Sequence, residues 1–206
     1  MTVITISRQY GAGGKTLGQM VARKLGYYFA EDDIIQMVAR EAKVSRGWVE
    51  CIEREAGSTL LKFMSGPGRK KFLKRFSETQ KGYIDEEIYV DLLNQIITKI
   101  AKEGNAVILG RGSQYILKEH KGVYHVLLVA DRVDRLKFLQ KHYRFSPAKA
   151  KQVVGRREKR RANLYRKFGR EDYDQPHLYH LVLNMSQIDL KQALKLICIM
   201  AGKQNI

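Results

Sequence analysis

An α/β fold, built on a parallel sheet with helices on both faces, is predicted from three observations. The chain opens on a β-branched run, Val3-Ile4-Thr5-Ile6-Ser7, which ends in a glycine-rich turn and passes into an amphipathic segment. Further apolar runs of strand type occur at Ala106-Val107-Ile108-Leu109, at residues 123–130 and at residues 178–184. Helical stretches separate these runs, and strands that alternate with helices need crossover connections, hence parallel pairing. Ligands of such sheets sit beyond the C-terminal strand ends. Segments 7–16, 110–112, 130–132 and 184–186 should therefore face one crevice.

The opening stretch Arg8-Gln9-Tyr10-Gly11-Ala12-Gly13-Gly14-Lys15-Thr16 has the order of a phosphate-binding loop between a strand and a helix. Glycines allow backbone N–H groups to approach phosphate oxygens, and the helix adds its positive N-terminal end. Lys15 would reach the outer phosphates and the Thr16 hydroxyl would sit on Mg²⁺. One position departs from G-x-x-x-x-G-K-[ST]: Gln9 stands where the first glycine belongs. A glycine-rich turn that binds nothing is the plainer alternative.

Residues 16–25 read as a helix, with Leu17, Met20, Val21 and Leu25 on one face and Gly26 as its stop. Residues 27–30 form a short extended segment. Glu31-Asp32-Asp33 opens a second helix to about residue 42, its acidic first turn suiting the helix dipole. Ser45 caps a third. A break is expected over residues 57–68, strongest at Ser65-Gly66-Pro67-Gly68. Ile88, Leu92, Leu93, Ile96, Ile97 and Ile100 then make a long helix over 85–102. After the strand at 106–109, Gly110-Arg111-Gly112 turns into a short helix at 113–117. The strand at 123–130 precedes a helix over 131–142. Ser146-Pro147 starts another, which runs through a basic stretch and fades near Phe168-Gly169. The strand at 178–184 and a helix over 190–201 complete the series.

The 206 residues suit one domain, and 44% hydrophobic composition is enough for an ordinary core. No apolar run approaches the ~20 residues that span a bilayer, and the first residues lack the plan of a signal peptide. Cys51 and Cys198 have no metal-ligand or redox spacing, which suits two reduced thiols and a cytoplasmic protein. The formal charge of +17 points to polyanionic partners. Much of it lies in two runs, residues 69–75 and 156–170, each of which could also be a solvated helix face.

Taken together, SRQYGAGGKTLG, LGYYFAEDDII, VILGRGSQYIL, KRRANLYRKFG and LYHLVLNMS resemble the cytidylate-kinase-like branch of the P-loop nucleoside monophosphate kinases. The resemblance spans nearly the whole chain and implies a three-layer P-loop kinase fold in one domain. Its core would comprise residues 1–30, 84–155 and 178–206. A helical acceptor-binding insertion would occupy about 31–83, and a small basic lid about 156–177. It also implies ATP-dependent phosphoryl transfer to a small anionic acceptor, a nucleoside monophosphate such as CMP or dCMP, with Mg²⁺. Gly11, Ala12, Gly13, Gly14, Lys15 and Thr16 would hold the ATP phosphates. Arg8, Asp33 and Arg111 would serve the acceptor. Lys15 with Arg157, Arg160, Arg161 and Arg166 would act on the transferred group.

Two departures bear on the acceptor. Gly112 stands where cytidylate kinases have an aspartate, and Tyr179-His180 fills a segment where they carry an acid. The CMP assignment therefore comes from the family, and another small-molecule acceptor remains open. Phosphoryl transfer asks for alignment and cations more than covalent participation. Arginine clamps phosphate with two parallel bonds, which favours the run at 156–170 for that task. Glu31, Asp32 and Asp33 would organise metal-bound water, or simply open a helix. Tyr165 and Phe168 would stack on a base or pack against the helix that carries them. A binding protein for nucleotides or nucleic acid, without turnover, is the competing class.

Overall fold

The computed structural model describes residues 1–54, 84–170 and 172–202. The expected break at 57–68 and the basic run at 69–75 lie outside the described residues. Five parallel strands form the sheet: β1 (Val3–Arg8), β2 (Tyr28–Ala30), β3 (Ala106–Leu109), β4 (Val123–Val129) and β5 (Leu181–Asn184). Their order is β2-β3-β1-β4-β5, with Ile6 level with Leu109 on one side and Val126 on the other. The chain is thus α/β, and its first strand is central.

Period-two alternation divides the strands between two apolar layers. Ile4, Ile6, Val107, Leu109, Val126 and Leu128 face α1 (Gly14–Leu25) and the closing helix Leu190–Met200, against Leu17, Val21, Ala193 and Ile197. Val3, Ala30, Ala106 and Ile108 face the other way. There they meet α2 (Asp32–Glu41), α3 (Arg46–Arg54) and α4 (Glu86–Glu103), through Ile34, Val38, Trp48, Ile52, Leu93 and Ile97. The expected caps form: Ser45 accepts from the Trp48 N–H and Ser146 from the Lys149 N–H, each at 3.3 Å, and Asp85 adds one that the sequence reading did not include, accepting from the Ile88 N–H at 2.9 Å.

The remaining described helices are α5 (Ser113–Ile116), α6 (Arg132–Tyr143), α7 (Pro147–Lys167) and α8 (Leu190–Met200). The last strand is shorter than its apolar run predicts. Pro176 starts a 3₁₀ turn over Pro176–Leu178, and the Tyr179 N–H bonds Pro176 O at 3.1 Å, so that N–H is spent before the ladder begins. The basic run at 156–167 continues the same helix that starts at Pro147. Among the described residues, no helix is long and apolar enough to cross a membrane. Cys51 and Cys198 are buried and unpaired.

Candidate active site

β1 delivers the chain to the glycine-rich loop, and α1 leaves it at Gly14. The Gln9 N–H donates to Leu128 O at 3.0 Å, and the Gln9 side-chain oxygen accepts from the Ala130 N–H at 3.0 Å. The residue that replaces the first glycine therefore ties the loop to the end of β4, a bond glycine could not make. Beyond the strand ends, under α7, lies a cavity of about 450 Å³ lined by seven cationic side chains and three carboxylates.

Arg8 lies at the floor of this cavity. A Cβ at Gly110 would overlap its guanidinium, and one at Gly14 would come 2.7 Å from its Cγ, so both glycines make room for this side chain. Burial lowers the Arg8 pKa, with Arg161 and Arg157 acting in the same direction against Tyr165 and Glu31. Arg8 donates no hydrogen bond and pairs with no carboxylate among the described residues. A half-buried guanidinium with no carboxylate against it favours an anion at this point of the cavity.

Lys15 Nζ lies 2.6 Å from Glu31 Oε2 and 3.7 Å from Asp32 Oδ2, and the hydrogen bond to Glu31 raises its pKa. Arg46 pairs with Glu50 at 2.9 Å and Asp32 at 3.4 Å. Arg111 sits left-handed, at φ 60°, in the turn after β3 and reaches Glu53 of α3. Arg160 of α7 meets the other oxygen of the same carboxylate, and the Tyr89 hydroxyl of α4 donates to it as well. Burial lowers the pKa of Arg160 and raises that of Tyr89 well above its ordinary value.

Arg161 forms a two-bond pair with Asp174, one bond at 2.7 Å, and lies over the Tyr165 and Tyr173 rings at 5.0 and 5.2 Å. Burial lowers its pKa, but Tyr165 and Asp174 together outweigh that and raise it. Arg157 lies over the Tyr10 ring at 5.6 Å and pairs with no acid among the described residues. Of the cations that line this cavity, Arg8 and Arg157 are thus the two that pair with no acid among the described residues.

A second cavity, of about 390 Å³, lies on the outer side of the loop at Gly11 and Ala12. Ala130, Phe138, Met185, Ile188 and Leu190 make it apolar, and Phe138 lines both cavities. Its size and apolar wall suit a flat ring.

Of the residues expected from the sequence, Arg8, Gly11, Gly13, Gly14, Lys15, Arg111, Arg157, Arg160 and Arg161 line the main cavity. Ala12 lines the second, and Thr16 sits half-buried on the first turn of α1 beside Lys15. Thr16 lines neither cavity, and two further residues are not brought in. Asp33 turns away to accept from the Tyr28 hydroxyl at 2.7 Å, leaving Glu31 and Asp32 on the cavity wall. Arg166 follows Arg157 by nine residues, half a turn out of phase on an α-helix; it is exposed and donates to Asn163 at 3.2 Å.

Tyr165 and Phe168 are packing residues: Tyr165 meets Tyr115 edge-on at 5.5 Å, and Phe168 lies against Gly112. A Cβ at Gly112 would fall 2.6 Å from the Phe168 ring, so the glycine noted above as a departure leaves room for that ring. Tyr179 and His180 lie ahead of β5; the buried Tyr179 reaches Ser7 at the end of β1, and His180 Nδ1 accepts from the His125 N–H at 3.0 Å.

Sequence reasoning missed Glu53 and Asp174. Glu53 had a signal, since it shares a helical face with Val49 and Ile52, where an acid needs a partner. Asp174, in an irregular segment, had none.

A model of the cytidylate kinase-like family matches residues 3–187. Among solved structures, the chain is similar to an uncharacterized protein from Eubacterium ventriosum, with TM-score 0.67 and 15% identity over 99% of this chain and 100% of that one. It is also similar to a sugar kinase from Janibacter sp. HTCC2649, with TM-score 0.53 and 14% identity over 99% and 96% of the two chains. No curated protein matches the sequence.

Proposed function

Because the chain belongs to the cytidylate kinase-like family, we propose that it transfers the terminal phosphoryl group of ATP to a small anionic acceptor. The observation that carries this reading is Arg8, a half-buried cation that pairs with no carboxylate among the described residues, where the phosphate loop meets the turn after β3. An anionic ligand would complete it. The donor phosphates would lie along Gly11, Gly13, Gly14 and Lys15, with the donor base in the apolar cavity beside Phe138. Lys15 would exchange Glu31 for a phosphate oxygen. Arg157, which lines the cavity and pairs with no acid among the described residues, would meet the charge that spreads onto the transferred group.

The oxygen donors Thr16, Glu31 and Asp32 fit a hard cation. Thr16 would hold Mg²⁺ and the two carboxylates would reach it through water; the ion would neutralise donor-phosphate charge. Residues 31–83 would serve as the acceptor-binding insertion and 156–177 as the lid. Arg111 belongs to the acceptor side of the same cavity. CMP or dCMP is the first acceptor to test, on the strength of the family; Gly112 and the placement of Tyr179-His180 offer that choice no support, so other small acceptors belong in the test.

ADP formation from Mg-ATP is to be followed against all common nucleoside monophosphates and a set of sugar and carboxylate acceptors. Turnover with one acceptor is expected, falling at least about tenfold in Lys15→Ala. No turnover with any acceptor, or turnover unchanged in the variant, would contradict the reading.

A second reading, binding of a nucleic-acid backbone, is supported by the outward face of α7. Lys149, Lys151, Arg156, Lys159 and Arg166 are exposed there and pair with no acid among the described residues.

A further inference from the structure

We propose that Glu53 is a positioning residue: it holds Arg111 and Arg160 in fixed register across the cavity, and it does so at the expense of ground-state affinity for anions. The inference rests on the kinase reading for its effect on turnover, though not for its effect on binding.

The geometry is specific. A single carboxylate, 1% exposed, accepts from Arg111 on one oxygen and Arg160 on the other, with the Tyr89 hydroxyl sharing the first. Its partners come from the turn after β3, from α7 and from α4, while Glu53 itself belongs to α3. One side chain therefore ties four pieces of chain together at the cavity wall. Arg111 and Arg160 would repel each other at this separation in a poorly solvated setting, and the carboxylate between them removes that repulsion. Each guanidinium has five donors and spends few of them on Glu53, so both retain N–H groups for a ligand.

Two consequences differ in sign. Removing the negative charge raises the positive potential of the cavity, so a polyanion should bind more tightly in the ground state. Removing the tether frees both guanidinium groups to adopt several orientations, so alignment for transfer should worsen. A side chain that served stability alone would produce neither the gain in affinity nor a dependence on the two arginines.

The test uses the full-length protein and inorganic pyrophosphate as the probe, with affinity measured by calorimetry and turnover by ADP release. Glu53→Gln is expected to bind pyrophosphate at least about threefold more tightly than wild type and to lose about tenfold or more in kcat. In Glu53→Asp, which keeps the charge but shortens the reach, kcat should fall without a gain in affinity. In an Arg111→Ala, Arg160→Ala background, Glu53→Gln should change kcat by no more than about twofold, because alignment acts through those two residues, while the gain in pyrophosphate affinity, a direct effect of the lost negative charge, should persist.

Unchanged or weaker pyrophosphate binding in Glu53→Gln, with thermal melting preserved, would overturn the proposal. So would losses that multiply across the combined variants, or a wild-type protein that does not bind pyrophosphate. If Glu53→Gln does not fold, Glu53→Asp decides: wild-type kcat in that variant would overturn the tether. A wild type that binds pyrophosphate but phosphorylates no acceptor would remove the kinase reading, and the affinity series would still decide the role of Glu53.

Discussion

Arg157 and Arg166 belong to one helix and carry the same charge, yet the fold gives them different surroundings. Both are exposed, but Arg157 overlies Tyr10 and lines the cavity, whereas Arg166 lies off it and is bonded to Asn163. Arg157→Ala is expected to lower kcat by about tenfold to a thousandfold, in line with the loss of a cation aimed at the transferred group. Arg166→Ala should stay within about twofold. Steady-state rates with saturating acceptor check both, and equal losses would show that helix phase does not decide the role. At this scale the sequence was informative where a residue's task is local. Strand, glycines and Lys-Thr in that order place Gly11 to Lys15 without tertiary information. Glu53 differs, because its two arginines lie 58 and 107 residues away.

Elements followed from periodicity and capping, and their ends followed where a cap exists. The exception was β5, where an apolar run continues through a 3₁₀ turn; hydrophobicity cannot distinguish the two, and the Pro176 backbone can. Strand pairing also brings together groups that no spacing reveals. Thr5 and His125 are level on β1 and β4, with Thr5 Oγ1 2.7 Å from His125 Nδ1. Burial, with His180 adding to it, pushes the His125 pKa down to about 4. The folded protein therefore keeps this ring neutral while the unfolded chain protonates it near pH 6.5. Its contribution to stability is complete above about pH 6.5 and is lost on acidification toward pH 4, at up to about 1.4 kcal/mol per pH unit. Urea unfolding across that window is expected to show the slope, and His125→Gln to flatten it. An unchanged slope in the variant would place the titration elsewhere.

For the whole molecule, charge is the organising quantity. Residues 132–170 hold fifteen Lys and Arg against two acids, which accounts for most of the formal +17. The fold divides this run. Arg157, Arg160 and Arg161 turn toward the cavity, while Lys149, Lys151, Arg156, Lys159 and Arg166 form an outward row about 26 Å long at 1.5 Å per residue. If the outward row meets a nucleic-acid backbone through four phosphates, duplex affinity should fall on the order of a hundredfold between about 50 and 200 mM salt. Replacing Lys149, Lys151, Arg156 and Lys159 by Gln should remove that binding and leave phosphoryl transfer intact. Oligonucleotide that competes with ATP instead would assign the binding to the cavity.

The sequence by itself determined the α/β class, the parallel order of strands and helices, the phosphate-type loop and the cationic character of the site. These depend on residues near one another in the chain, through periodicity, capping and the conformational freedom of glycine. Only the tertiary structure decided which cations are free and which are spent. Among the described residues it left Arg8 without a counter-ion, gave Arg111 and Arg160 to Glu53 and Arg161 to Asp174, and turned Asp33 and Arg166 away. The reason is physical: a buried charge is set by its nearest opposite charge in space, and packing of distant segments chooses that neighbour.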